Sequence, residues 1–81
     1  MTRDELKNIF TEELMKIAPD ADLSGVGEQE DLRDALDLDS MDIMNLIIAL
    51  HGRLGVDIPD REASRMVTLG GALDYLENVT S

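Results

Sequence analysis

The segment that decides the fold reads DSMDIMNLIIALHGRLG and runs from Asp39 to Gly55. Its apolar residues recur three and four positions apart, a spacing that places them on one face of an α-helix. Asp39 can accept a hydrogen bond at the helix start, and Gly55 suits the left-handed cap at its end. The segment therefore predicts a helix from about Ser40 to Leu54 whose buried stripe is Ile43, Leu46, Ile47, Leu50 and Leu54.

Three further helices are predicted around this one. Thr2-Arg3-Asp4-Glu5 fits a capping box and begins a first helix, which ends before Pro19. Pro59-Asp60 opens a short third helix that runs to about Met66. Thr68 then caps a last helix, whose predicted core stripe is Leu69, Ala72, Leu73, Leu76 and Val79.

The connection from Pro19 to about Leu36 is long for a small domain, and it is rich in glycine and acids. Leu23, Val26 and Leu32 are its apolar anchors. We therefore expect a single all-α domain over residues 1–81. Its architecture is a small four-helix bundle with a short third helix and a long loop between helices 1 and 2.

Composition excludes several classes of function. The chain has 81 residues, with 18 acidic and 7 basic side chains, so its formal charge is −11. Phosphate backbones would repel this charge, so we expect no nucleic-acid partner and a basic surface on any protein partner. Without cysteine there is neither a disulfide nor a thiolate metal site. Because no apolar run is long enough for a membrane span or a signal segment, we expect a cytoplasmic location. A monomer is the default expectation for the oligomeric state.

The predicted second helix also carries a second stripe of apolar side chains, namely Met41, Met44 and Ile48. A chain this short cannot easily bury both sides of one helix. Either the long loop folds over this second stripe, or the stripe docks a partner, with Asp39 and Asp42 beside it. Periodicity alone does not choose between these interpretations, and both can hold at different depths of the stripe.

Ser40 is the one hydroxyl in a conspicuous setting, at a helix start between two acids. A serine that activates itself needs a base within hydrogen-bond reach, and His51 is the sole histidine. Eleven helical residues separate the two by roughly 16 Å along the axis. The residues themselves therefore argue against an enzyme and leave Ser40 as a helix-start residue.

Leu38-Asp39-Ser40-Met41-Asp42 and the apolar helix after it, together with Ile58-Pro59-Asp60 and Leu73-Asp74-Tyr75-Leu76, resemble the acyl carrier protein family. The resemblance implies that a separate, magnesium-dependent phosphopantetheinyl transferase esterifies Ser40 with 4′-phosphopantetheine from coenzyme A. The terminal thiol would then carry acyl intermediates of fatty acid, lipid or polyketide synthesis as thioesters. The resemblance also favours recognition of basic loading and transfer enzymes by Asp39 and Asp42. Together with the second stripe, this gives Asp39, Met41, Asp42, Met44 and Ile48 as the expected partner-binding residues.

Two departures from the family pattern concern the predicted second helix. Met41 replaces the usual leucine, which is a nearly isosteric change. The end of the helix reads His51-Gly52-Arg53 where the family often has acids, which suggests a dedicated carrier with its own partners. The segment Leu36 to Ser40 lacks the Gly-Gly signature of peptidyl carriers, although an aminoacyl or peptidyl cargo stays open.

A rival hypothesis is calcium binding by the loop from Asp20 to Asp31. Asp20, Asp22, Ser24, Glu28 and Asp31 occupy oxygen-ligand positions of an EF-hand-like loop, with Gly25 at its sixth position. However, Gly27 stands where an apolar anchor is usual, and the twelfth position is aspartate rather than the bidentate glutamate. A third hypothesis is that Ser40 is never modified and that the domain only binds partner proteins.

Overall fold

Helix α3, Ser40–Leu54, is the element against which much of the rest packs. The computed structural model describes residues 1–80. The other α-helices are α1, Arg3–Ile17; α2, Leu32–Ala35; and α4, Leu69–Thr80. Two 3-10 segments, Leu23–Gly25 and Asp60–Val67, complete the order. Helix α3 packs on α1 and on the 3-10 helix Asp60–Val67, and α4 contacts those same two elements.

The predicted all-α bundle is confirmed, including its short third helix, which has 3-10 geometry. Within residues 1–80 the sole β-type pairing is an isolated bridge between Asp31 and Thr68. None of the helices in this range combines the length and apolar character that a transmembrane span needs.

The core is built from aliphatic side chains, because the chain has one phenylalanine and one tyrosine. The largest fully buried side chains come from α1, α2, α3, the 3-10 helix and α4. They are Phe10, Leu6, Leu14, Leu32, Leu46, Leu50, Met66, Leu69, Leu73 and Leu76. The predicted stripe of α3 is buried at Ile43, Leu46, Ile47 and Leu50, while Leu54 is partly buried.

Both predicted ends of α3 and the start of α1 are confirmed. Asp39 caps α3, and Gly55 ends it with φ 67°, in the left-handed region that glycine adopts without strain. Thr2 and Glu5 form a reciprocal capping box at the start of α1.

Two details differ from the sequence prediction. The long connection is not a plain loop, because it folds into a 3-10 turn and the one-turn helix α2, with Leu23 and Leu32 buried. The prediction that Val79 lies in the core stripe of α4 is wrong, since 36% of this residue is exposed. Val79 lies in the last turn of α4.

Ionic contacts connect α1 to distant parts of the chain. Arg3 pairs with Glu28 of the long connection and with Asp74 and Glu77 of α4. At the other end of α1, the carboxylate of Glu13 is nearly buried and accepts hydrogen bonds from Lys16 at 3.0 Å and Arg53 of α3 at 2.9 Å. These contacts link the connection, α3 and α4 to one helix.

Two glycines in helices give opposite predictions. A Cβ at Gly71 would lie 2.5 Å from the carbonyl oxygen of Arg65, whereas a Cβ at Gly52 meets nothing within 4 Å. Gly71→Ala should therefore lower the free energy of unfolding by about 1–3 kcal/mol. Gly52→Ala should raise it by about 0.5–1 kcal/mol. Urea denaturation measures both, and a Gly71→Ala variant as stable as the parent would contradict the close packing.

The lowered pKa of Glu13 leads us to expect that the protein loses stability in acid. The hydrogen bond from Lys16 lowers the pKa of Glu13, burial partly opposes this, and the hydrogen bond from Arg53 lowers the pKa further. Since the ionised form is favoured in the folded state, its contribution is present above the ordinary pKa of 4.5 and is lost as pH falls through the lower folded value.

We therefore expect Glu13→Gln to destabilise the protein at neutral pH and to differ less from the parent below pH 4.5. Urea midpoints across this pH range measure the effect. Glu12→Gln is the control, because the Glu12 side chain is 56% exposed in its pair with Arg53 and should contribute little. A constant difference between Glu13→Gln and the parent at every pH would contradict the assignment.

Candidate functional site

Ser40 is the first residue of α3, and its side chain is exposed. The first-turn N–H groups of a helix have no partner within the helix, so the hydroxyl stands where a negative charge is favoured. His51 lies in the last turn of α3. The sequence-based separation of Ser40 from the sole histidine therefore holds, and Ser40 has no imidazole base within reach.

Asp39 and Asp42 hold the start of α3 in place through a reciprocal capping box. Asp39 Oδ1 accepts a hydrogen bond from the N–H of Asp42 at 2.9 Å, and Asp42 Oδ2 accepts one from the N–H of Asp39 at 3.2 Å. The box uses one oxygen of each carboxylate, so the other oxygen of each can meet a partner. These two acids therefore fix the backbone on both sides of Ser40 as well as charging its surroundings.

The chain turns sharply just before this site. Asp37 has φ 56°, in the left-handed region that aspartate tolerates better than most residues. The N–H of Leu38 then donates to the carbonyl of Arg33 at 3.0 Å, and the side chain of Leu38 is buried. Leu38 thus anchors the chain to the core one residue before the cap, which leaves Ser40 at the surface.

The second stripe of α3 is not covered by the long connection. Met41 is 64% exposed, Ile48 is 63% exposed and Met44 is 37% exposed. The interpretation in which the loop folds over this stripe is therefore wrong for Met41 and Ile48, whereas the less exposed Met44 lines a cleft together with Arg33 of the connection. The stripe is instead a surface of apolar side chains that starts one residue after Ser40.

An apolar cleft of about 190 Å³ opens beside Ser40, between α3, α2 and the 3-10 helix Asp60–Val67. Its lining residues are Arg33, Ser40, Ile43, Met44, Ala63, Ser64 and Val67. The sequence did not predict that Arg33 and Ser64 line a cleft together with Ser40. Helical spacing reports neighbours on one helix only, and these residues come from two other elements.

The candidate calcium loop does not gather its acids around one point. Asp22 accepts a hydrogen bond from the N–H of Ser24, Asp31 binds Arg33, and Glu28 binds Arg3. Across residues 1–80, no three histidine or acidic side chains come together as they would around a metal ion. The structure gives the EF-hand hypothesis no support.

Comparison with known proteins identifies the family of this arrangement. A family model described as "Phosphopantetheine attachment site" matches residues 4–76, which includes all of α3 and the cleft. The chain belongs to this family. The chain is 32% identical over 76 residues to the acyl carrier protein of Campylobacter hominis, covering 94% of this chain and 90% of that protein. It is 33% identical to the acyl carrier protein of Sulfurovum sp. strain NBC37-1 over 94% and 95% of the two chains.

Family membership gives the protein an acyl carrier function with covalently attached 4′-phosphopantetheine, rather than a catalytic one. Residues at the start of α3 fit this group. Ser40 is exposed, so its hydroxyl can be esterified, and the helix start favours the negative charge of a phosphodiester. The adjoining cleft is lined by Ser40 and is mainly apolar, so it is compatible with an arm that carries an acyl group.

Substitutions of Asp39 separate its structural role from its charge. Asp39→Ala removes the cap and should lower the free energy of unfolding by about 1 kcal/mol, whereas asparagine caps about as well as aspartate. Asp39→Asn should therefore stay near the parent in urea denaturation. If asparagine destabilised the protein as much as alanine, the charge and not the capping hydrogen bond would hold the start of α3.

Proposed function

We propose that Ser40 bears the 4′-phosphopantetheine arm, and that a separate phosphopantetheinyl transferase attaches it. One observation carries this proposal: Ser40 is an exposed hydroxyl at a rigidly capped helix start, inside the segment that matches the family model. The arm supplies a terminal thiol that holds an acyl group as a thioester. This cysteine-free chain has no thiol of its own.

The attachment needs a base and a metal that the transferase would supply. The Ser40 oxygen forms a bond to the phosphorus next to the pantetheine, the phosphoanhydride bond of coenzyme A breaks, and 3′,5′-ADP leaves. The proton of the hydroxyl passes to a base of the transferase. Asp39 and Asp42 are acids close in sequence, but each has an oxygen engaged in the capping box, and negative charge beside Ser40 opposes its deprotonation.

A mass measurement with matched serine variants tests the attachment. Incubation with coenzyme A, magnesium and a broad-specificity transferase should add one phosphopantetheine group to the parent. Ser40→Ala should add none while keeping its helical circular dichroism. Ser64→Ala is the control, because Ser64 is an exposed hydroxyl that lines the same cleft. Modification of Ser40→Ala, or its loss in Ser64→Ala, would refute the assignment.

The second stripe and its flanking acids support a docking role. Met41 and Ile48 are exposed apolar side chains on the helix that presents Ser40, and methionine adapts its shape to different partners. Asp39 and Asp42 add negative charge that would steer enzymes with basic surfaces toward the arm. From Glu28 to Asp42 the chain has seven acids and one arginine, a net charge of −6 near Ser40.

Placing a charge on the exposed apolar side chain of Ile48 tests this docking surface. Ile48→Asp should slow transfer of the acyl group to a partner enzyme, seen as a raised KM for the carrier, with little change in unfolding free energy. Met15→Asp is the control, since Met15 is 47% exposed on α1, outside the second stripe. Equal effects of the two variants on transfer, or unfolding by Ile48→Asp, would show that the stripe is not a docking surface.

The cargo is most consistent with an acyl group of fatty acid, lipid or polyketide synthesis. An apolar cleft beside Ser40 favours aliphatic carbons over the charged amine of an aminoacyl thioester, which was the alternative cargo.

The end of α3, His51-Gly52-Arg53, departs from the acidic family pattern and supports a dedicated carrier. Arg53 replaces an acid at that end and is bound to Glu12 and Glu13. A partner that recognises acidic groups along the whole helix would therefore find none at this position. The monomeric state and the cytoplasmic location stay predictions.

A further inference from the structure

Arg33 is a positively charged residue in an acidic part of the chain. It is the one lysine or arginine between Lys16 and Arg53. Its side chain lines the same cleft as Ser40, although it comes from α2 rather than α3. Arg33 and Ser40 therefore line one cleft of about 190 Å³.

We propose that Arg33 binds the phosphodiester through which the arm is joined to Ser40, and so holds the base of the arm at the mouth of the cleft. This inference rests on the proposed attachment at Ser40. Arg33 is then a positioning residue for the arm and takes no part in forming the bond.

The guanidinium of Arg33 is already oriented by Asp31. Its Nε donates to Asp31 Oδ1 at 3.1 Å, and its Nη2 donates to Asp31 Oδ2 at 2.7 Å. Asp31 is itself fixed, because its Oδ1 accepts the N–H of Arg33 at 2.9 Å as the cap of α2. A side chain held in this way loses less conformational entropy when it binds a second group.

The same pairing leaves donors of Arg33 for an anion. A guanidinium has five N–H donors, and Asp31 engages one from Nε and one from Nη2. The end of the group, formed by Nη1 and the second Nη2 hydrogen, can donate two parallel bonds to a phosphate. The Arg33 side chain is 46% exposed, so this end can be reached.

Electrostatics at Ser40 make such a contact useful. A phosphodiester on Ser40 adds a negative charge next to Asp39 and Asp42, and these acids repel it. The first-turn N–H groups of α3 offset part of this repulsion. Arg33 lines the same cleft and is positively charged, although its pair with Asp31 offsets part of that charge. Its attraction should favour arm orientations near the cleft over orientations that project into solvent.

The test compares the side-chain Nε–Hε resonances of arginine in the ¹⁵N-labelled protein before and after attachment of the arm, with attachment verified by mass. We expect the Arg33 resonance to shift several-fold more than those of Arg61 and Arg65, which do not line the cleft. The ³¹P resonance of the arm should move in Arg33→Gln. It should move less in Arg33→Lys, which keeps the charge but loses the paired donors.

The possible outcomes separate this inference from the attachment itself. Addition of the arm with no shift at Arg33 and an unchanged ³¹P resonance in Arg33→Gln would overturn the inference and leave the attachment at Ser40 intact. An Arg33 shift that appears only with a carboxylate-bearing acyl cargo would overturn it as well, because the arginine would then bind cargo. Failure of the parent to gain the arm would overturn both proposals.

Discussion

Burial of one face of α3 determines where the protein presents its serine. Helix α3 packs on α1 and on the 3-10 helix Asp60–Val67, and its buried side chains are Ile43, Leu46, Ile47 and Leu50. Burial of each contributes up to about 3 kcal/mol to the free energy of unfolding. The capping hydrogen bond of Asp39 contributes about 1 kcal/mol. The orientation of α3 is therefore set by its buried face, and the cap determines only where the helix begins. With that face turned inward, the second stripe and Ser40 must lie outside.

This division explains why so much of the fold could be predicted. The buried stripe of α3, the capping residue Asp39 and the left-handed cap Gly55 are local signals, since each depends on spacing or side-chain type within a few residues. The contacts that assemble the bundle were not predictable in this way. Arg53 reaches Glu13 across 40 positions of sequence, and no periodic pattern reports such a pairing.

The site was predictable to the same extent. Ser40 and its flanking acids are neighbours in sequence, and the resemblance to acyl carrier proteins supplied a role for the serine. The cleft was not predictable, because Arg33 and Ser64 approach Ser40 from two other elements. Sequence also treated Asp39 as an N-cap and Asp42 as a favourable first-turn acid, and the structure shows that the two cap each other. The start of α3 thus combines charge with rigidity.

Localising the arm within the protein tests the central claim most directly. The protein carrying one added group would be digested, and its peptides fragmented by electron transfer so that a labile phosphodiester is retained. We expect the fragment masses to place the whole group on Ser40. Localisation on another hydroxyl, such as Ser24 or Ser64, would contradict the proposal that α3 presents Ser40 as the attachment site.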